Sequence, residues 1–419
     1  MKRTNDIYVF ADWRELGKQT FVGVLHSEMV RGNEVFSFFY DESWLSSKSS
    51  VMLDPDILPF VGHQFLPGNK INFGVFLDSA PDRWGRILMK RREAIIAREE
   101  DRKPEPLTEA DYLLGVFDGT RMGGLRFKQE PDGDFLDSNK ELATPPWTNI
   151  RDLEYASLQF EKDDSIDDPE YRKWLRMLLE PGSSLGGARP KANIMDKDQH
   201  LWIAKFPSGR DSRDMGAWEK VVNDMAGMCG INVPESQANI YSFTQHTFIS
   251  KRFDRDDEGR RIHFSSAMTM LGQTDGADYN SGISYLDLVA FISKVGVNVD
   301  VNLEELFRRV VFNIAISNCD DHLRNHGFLL TDKGWELSPA YDLNPDNKGG
   351  GLKLNISEDD NSLDFDLARS VAGMYRLSDQ KASEIIEQVR DVVSGWESHA
   401  QNIGISRSER EEMATAFRY

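Results

Sequence analysis

The sequence predicts an α+β chain in three parts: a β-rich N-terminal unit, a small mixed α/β unit and a helical C-terminal unit. Three observations predict it. Residues 7–40 carry "DIYVFAD", "QTFVGVLHS" and "EVFSFFYD", β-branched and aromatic runs separated by charged or Gly-containing segments, as in a meander. The middle of the chain holds short strand-like runs, "KANIMD", "HLWIAKF", "ANIYSF" and "HTFISKRFD", around one helical pattern. From about residue 284 onward apolar residues recur at helical spacing. The polar stretch 128–150, with "EPDGD" and "TPPW", reads as a linker and sets the first boundary. The expected divisions are 1–150, 151–265 and 266–419.

The helices follow in order. Residues 83–100, "RWGRILMKRREAIIAREE", read as amphipathic, with Ile87, Leu88, Ile95 and Ile96 loosely on the period. Residues 169–180 follow, with Pro169 near the start, and stop at "PGSSLGGARPK". Residues 215–230 end at Gly230. In 302–318 Asn302 and Glu305 have capping-box spacing, and Leu303, Leu306, Phe307, Val310, Val311 and Ile314 follow the i, i+3, i+4 period. Residues 378–402 form the last helix.

Bulk properties exclude some functions. A formal net charge of −19 argues against a general basic surface for nucleic acid. Two cysteines, Cys229 and Cys319, cannot organise a disulfide framework and point to a reducing compartment. The N-terminus lacks the apolar core of a secretory signal, and no run approaches the roughly 18 apolar residues that span a bilayer. A cytoplasmic chain without a membrane partner is expected.

Two acids, two amides and two imidazoles fall within "NCDDHLRNH" at 318–326, directly after an apolar stretch. A solvated loop, a metal site and a catalytic loop compete for it. His322 and His326 are four residues apart, with Cys319 and Asp320 near. A zinc-protease helix would need His-Glu-x-x-His, and no Glu is present. Asp320 and Asn325 are five residues apart, and Asp342 lies seventeen beyond Asn325 in "LSPAYDLNP". Asp-x4-Asn followed by a second Asp is the polar skeleton of a kinase site. Phosphoryl transfer needs a carboxylate for the attacking hydroxyl and hard oxygen ligands for Mg²⁺. Between them "HGFLLTDKGWELSP" reads as a hairpin turning at "TDKG", which would return Asp342 to the cluster. Upstream, Gly182, Gly186 and Gly187 in "PGSSLGGARPKANI" let backbone N–H groups approach a phosphate, with Arg189 and Lys191 adding charge. It is neither a Walker A nor a Gly-x-Gly-x-x-Gly loop. Lys205 ends the apolar run "LWIAKFP", where an ammonium must meet an anion or reach water.

Six segments in one order, "APDRWGR" (80–86), "SSLGGARPK" (183–191), "WIAKFP" (202–207), "SKRFDR" (250–255), "NCDDHLRNHGFLL" (318–330) and "LSPAYDLNP" (337–345), resemble the HipA family of bacterial serine/threonine protein kinases, the toxin halves of HipA–HipB toxin–antitoxin modules. The resemblance implies a kinase-like bilobal domain, with a small mixed α/β lobe and a helical lobe, preceded by a β-rich HipA-type domain. It implies Asp320 as catalytic base, Asn325 and Asp342 as Mg²⁺ ligands and Lys205 on the phosphates of ATP. It adds Gly186, Gly187, Ala188, Lys191, Lys251, Phe253, His322 and Tyr341 to the cofactor-binding set. Lys251 stands where some members carry an acid, so the adenine contact there would run through backbone or be altered. Ser184, or its neighbour Ser183, aligns with the serine autophosphorylated in the Gly-rich loop. The implied partners are a protein substrate, with aminoacyl-tRNA synthetases among the family's targets, and a HipB-like helix-turn-helix antitoxin that brings DNA in only indirectly. The implied outcome is growth arrest or persistence.

Two rivals stay open on the sequence: a small-molecule kinase of the aminoglycoside-phosphotransferase type, which shares Asp-x4-Asn, and a catalytically silent interaction module.

Overall fold

The computed structural model describes residues 4–68, 70–136, 144–162, 169–179, 187 and 189–419. By its contacts the chain gathers into two compact units, Met1–Gly209 with Asp254–Ser265 and Arg210–Phe253 with Ser266–Tyr419. The divisions at 150 and 265 remain a proposal about folding units.

In the first unit, β1 (Thr4–Ala11), β2 (Thr20–Val30), β3 (Asn33–Tyr40), β4 (Gln64–Phe65) and β5 (Leu125–Lys128) form an antiparallel sheet of order β4-β3-β2-β1-β5. The expected meander is therefore present, and residues 125–128 join it as a strand. Alternation explains the buried face. Ile7, Val9 and Ala11 are fully buried at every second position of β1. Gly23 on β2 has φ +159°, and a Cβ there would collide with the Phe39 carbonyl, so the close pairing of β2 with β3 requires glycine.

The first unit's helices are α1 (Glu42–Leu45), α2 (Gly74–Asp78), α3 (Arg83–Glu99), α4 (Glu109–Leu114), α5 (Ile150–Lys162) and α6 (Pro169–Leu179). Phe76 of α2 packs against Phe38 and Phe127, with ring centroids 5.7 and 6.0 Å away. A second core joins Trp84, Leu88 and Ile95 of α3 to Phe160, Tyr171 and Leu175. Ile87, placed on the apolar face by the sequence reading, is instead 39% exposed, because Trp84 at i−4 from Leu88 sets the stripe. Hairpin β6 (Lys191–Met195) and β7 (Leu201–Lys205) completes the unit.

Asp54 is buried at 1% exposure in the first unit, where its carboxylate accepts from Asp56 N at 2.8 Å and from Val75 N, in α2, at 2.9 Å. Burial pushes its carboxyl up from 3.8 to about 6, against the two backbone hydrogen bonds. A raised acid binds its proton more tightly folded than unfolded. Its contribution is full below the unfolded pKa near 4 and is lost as pH rises through about 6. The loss amounts to ~3 kcal/mol. Denaturant melts of wild type and Asp54→Asn across pH 4–7 should differ in slope by that amount. Comparing slopes cancels the cost of the substitution itself, and parallel curves would remove the assignment.

The second unit contains β8 (Ser236–Asn239) paired with β9 (Thr247–Lys251), and the hairpin of β11 (Gly327–Thr331) and β12 (Gly334–Leu337); β10 (Phe264–Ser266) straddles the two units in sequence. Its helices are α7 (Met215–Met228), α8 (Ala267–Met270), α9 (Tyr285–Val295), α10 (Val299–Ala315), α11 (Phe365–Ser370), α12 (Asp379–Ser394), α13 (Trp396–Ile403) and α14 (Arg407–Met413). Two expectations change here. Helix α10 starts at Val299 rather than at Asn302, with Asn298 at its cap in the left-handed region (φ 49°). Asn302 instead donates Nδ2 to Val297 O at 2.7 Å and accepts Leu337 N at 3.1 Å, tying the helix to β12. The helix expected over 378–402 is broken at Gly395. No helix among the described residues is long and apolar enough to cross a membrane.

Candidate active site

The cluster begins where α10 stops. Leu303, Leu306, Phe307, Val310, Val311 and Ile314 are buried on that helix, as their period predicts. Ser317, buried and at φ 49°, then turns the chain out of the helix. A non-glycine residue in that region carries strain of about 1 kcal/mol. Hydrogen bonds hold it: the Ser317 carbonyl accepts Cys319 N at 2.8 Å and Asp346 N at 3.2 Å, and its Oγ accepts Arg418 Nε at 3.1 Å.

The two adjacent aspartates then part ways. Asp320 is exposed, whereas Asp321 is 2% exposed. Asp321 Oδ2 accepts from Tyr285 OH (2.6 Å, on α9), from Asn313 Nδ2 (2.7 Å, on α10) and from His326 Nε2 (2.8 Å, at the loop's end). Asn318 Nδ2 extends the chain to Asn313 Oδ1 at 3.1 Å. A buried carboxylate is tolerated only when so paired. Burial pushes the Asp321 carboxyl up, but the charge and hydrogen bond of His326 and the Tyr285 hydroxyl outweigh it and leave it below the usual carboxylate range. Burial and the neighbouring Asp321 charge hold the Tyr285 phenol well above its ordinary value, so it stays a donor. Three elements thus grip one anion, and the loop between Asp320 and His326 is anchored by the Asp321 carboxylate rather than by that of Asp320.

The Asp320 carbonyl accepts His322 N at 2.9 Å and Asn325 Nδ2 at 3.1 Å. Asn325, 7% exposed, thereby keeps its side-chain oxygen for a further partner. His322 Nδ1 is buried with no hydrogen-bond partner among the described residues. The hairpin forms as expected, with Thr331 opposite Gly334. After it, Ser338 N donates to Gly327 O at 2.8 Å and Tyr341 OH to Arg324 O at 2.6 Å. Asp342 therefore follows a residue bonded to the loop one position before Asn325. Asp342 has φ 59°, and its Oδ1 accepts Asn344 Nδ2 at 3.4 Å. The Tyr341 ring lies 5.4 Å from that of Phe253, two residues past Lys251, whose N–H bonds Glu235 O at 2.8 Å. Asp320, His322, Asn325, Tyr341, Asp342 and Phe253 are in this way linked within one unit.

The zinc alternative fares poorly in this geometry. His326 Nε2 is committed to Asp321. Among the described residues, the His and carboxylate atoms close enough to share an ion belong to Asp196, Asp198 and His200, in the β6–β7 turn. There Asp196 already accepts Asp198 N, His200 N and Trp202 Nε1, which accounts for the turn.

The remaining site residues lie in the first unit. Lys205 ends β7, opposite Lys191 in register. Lys191 is 2% exposed, and its Nζ stands 2.8 Å from Asp82 Oδ2 and 3.0 Å from Gly187 O. Asp82 also caps α3 by accepting Gly85 N at 2.8 Å. In the same "APDRWGR" segment Trp84 packs in the α3 core and Arg86 makes a double hydrogen bond to Glu109, 2.6 Å each. Gly186, Ala188, Ser183 and Ser184 lie outside the described residues. Sequence reasoning gave no role to Asp321, Tyr285, Asn313 or Asp82. A buried-anion role for Asp321 could have been suspected from its place directly after an apolar helix; nothing local marks the other three.

An α+β chain with an exposed aspartate on an anchored loop, and an Asn and a second Asp returned to it by a hairpin, defines the class. A family model, the HipA-like C-terminal domain, matches residues 183–396, just over half of the chain. The chain belongs to the HipA-like family. It is similar to a putative kinase of Haemophilus influenzae, 28% identical over 180 residues, covering 39% of this chain and 52% of that protein. It is also similar to the serine/threonine-protein kinase toxin HipA of Shewanella oneidensis, 25% identical over 191 residues, covering 39% and 43%. The chain spans about half the length of the curated relatives it matches. Among solved structures, a chain of the Shewanella oneidensis MR-1 toxin–antitoxin complex of HipA, HipB and operator DNA superposes with a TM-score of 0.65 at 18% identity, covering 95% of this chain and 93% of that one. That likeness is one of fold.

Proposed function

We propose that this chain is a serine/threonine protein kinase that passes the γ-phosphoryl group of Mg-ATP to a protein hydroxyl and to its own Ser184 or Ser183. One observation carries the reading: Asp320 is exposed on a loop held by a buried anion, while Asn325 and Asp342 are bound into the same loop. The donor set fits the cation. Asn325 retains a side-chain oxygen, Asp342 offers a carboxylate, and hard oxygen ligands suit Mg²⁺. The orphaned His322 Nδ1 fits a polar ligand beside them. The metal, when bound, would neutralise phosphate charge.

In this reading Asp320 orients the attacking hydroxyl and accepts its proton. The new oxygen–phosphorus bond forms as the bond to ADP breaks, and ADP departs. Lys205 holds phosphate oxygens, together with backbone at Gly186, Gly187 and Ala188 and with Lys191. Lys251 at the end of β9, Phe253 just past it and Tyr341, whose ring lies against that of Phe253, hold the base. Positioning and charge neutralisation supply the rate. The relatives' names extend the proposal to a toxin, with a HipB-like antitoxin as partner and DNA reached through it; the scarcity of cysteine supports the cytoplasm as its place.

Intact mass of the purified chain before and after Mg-ATP tests the reading. Wild type should gain one phosphate, mapped to Ser183 or Ser184, and Asp342→Ala none. No gain from unphosphorylated wild type, or an equal gain in both, would overturn it.

A further inference from the structure

A cavity of about 470 Å³ opens in the second unit between α11, α12 and residues 417–419. Its size is that of a small-molecule site. Three guanidinium groups line it, Arg369 from α11, Arg390 from α12 and Arg418. The chain has 69 acidic and 50 basic residues, so arginines should find carboxylates easily. Arg369 does, 3.1 Å from the exposed Asp366. Arg390 does not: its guanidinium lies over the Phe365 ring, 5.7 Å from the centroid, and meets no carboxylate among the described residues. Arg418 donates Nε only to the neutral Ser317 Oγ.

Phe365, Phe417 and Tyr419 add aromatic lining, beside Leu363 and the carboxylates of Asp364 and Asp366. Phe417 stacks on Trp396 with centroids 4.4 Å apart and planes within 5°, which makes one wall rigid. Phe365 forms another. Guanidinium forks match phosphate oxygens, and flat rings match a flat ring. Arg418 N also bonds Ala315 O at 2.7 Å, so this wall is joined to the end of α10, a few residues before Asp320.

We propose that this cavity is a binding site for a small phosphate monoester bearing an aromatic ring, of mononucleotide size. The site is separate from the proposed catalytic residues and does not depend on the chain being a kinase.

Isothermal titration of the full chain with phenyl phosphate tests it, with inorganic phosphate and phenol as partial probes. Phenyl phosphate should bind saturably and more tightly than either probe. Arg390→Gln should weaken it about tenfold, the scale of one charge-assisted contact, with Arg390→Lys intermediate. Asp342→Ala should leave it unchanged. No saturable binding would overturn the proposal. So would binding indifferent to Arg390→Gln, or binding lost in Asp342→Ala, since either places the ligand elsewhere.

Discussion

Asp320→Ala should abolish the proposed phosphate transfer and leave the melting temperature of the chain where it is, whereas Asp321→Ala should unfold the second unit's loop at 318–326. The residues are neighbours, and their surroundings separate them. Asp320 is exposed, and the carbonyl that accepts Asn325 and His322 belongs to its backbone, which alanine keeps. Only the carboxylate proposed to take the substrate hydroxyl's proton is lost, at a cost of about 10²–10⁴ in rate for a base. Asp321 is buried, and its removal strands Tyr285 OH, Asn313 Nδ2 and His326 Nε2 with no acceptor. Breaking such a buried ion network costs about 3–5 kcal/mol. Asp321→Asn keeps an acceptor oxygen but not the charge and should fall between. The sign with pH follows from the depressed carboxyl: this stabilisation is present above the ordinary carboxylate pKa and lost on acidification. Thermal melts and phosphate incorporation on the three variants decide it. An Asp321→Ala chain as stable as wild type would show that the buried network does not hold the loop.

What could be read from the sequence was what local spacing encodes. The meander of β1–β3, the hairpin at 327–337 and the apolar stripe of α10 follow from periods of 2 and 3.6 residues. Asp320, Asn325 and Asp342 stand in an order that points to a chemistry. Local spacing says nothing about which of two adjacent acids turns inward. That is decided by Ser317, whose left-handed turn ends α10 after Ala315 and rotates the loop, and by Tyr285, thirty-six residues upstream. The start of α10 is not legible locally, because Asn302 carries a cap-like signal yet its amide bonds Val297 and Leu337. The break at Gly395 leaves no mark in the pattern, because the apolar period runs on from α12 into α13.

A long-range link hidden from the sequence carries the second large effect. Asp82 and Lys191 are 109 residues apart, their side chains are each 1% exposed, and they meet at 2.8 Å. Removing either partner leaves a charge in the interior, so Asp82→Ala and Lys191→Met should each destabilise the first unit by about 3–5 kcal/mol. Replacing both with apolar residues, Asp82→Leu with Lys191→Met, should recover much of that loss, because desolvating a buried pair costs nearly what their attraction returns. The recovery will be incomplete, since Asp82 also caps α3 through Gly85 N, and a lost cap costs about 1 kcal/mol. A double-mutant cycle by denaturant melts measures the coupling, and additive losses would mean that the pair is not a unit. The cycle also bears on ATP. An ammonium that also bonds Gly187 O ties that residue to the start of α3. If Lys191 meets phosphate in the reaction, it must first give up Asp82. Asp82→Asn, which removes the competing charge but keeps an acceptor, should then tighten ATP binding even as it lowers stability. A chain weakened in both respects would make Lys191 a strut of the fold and leave Lys205 as the lysine on the phosphates.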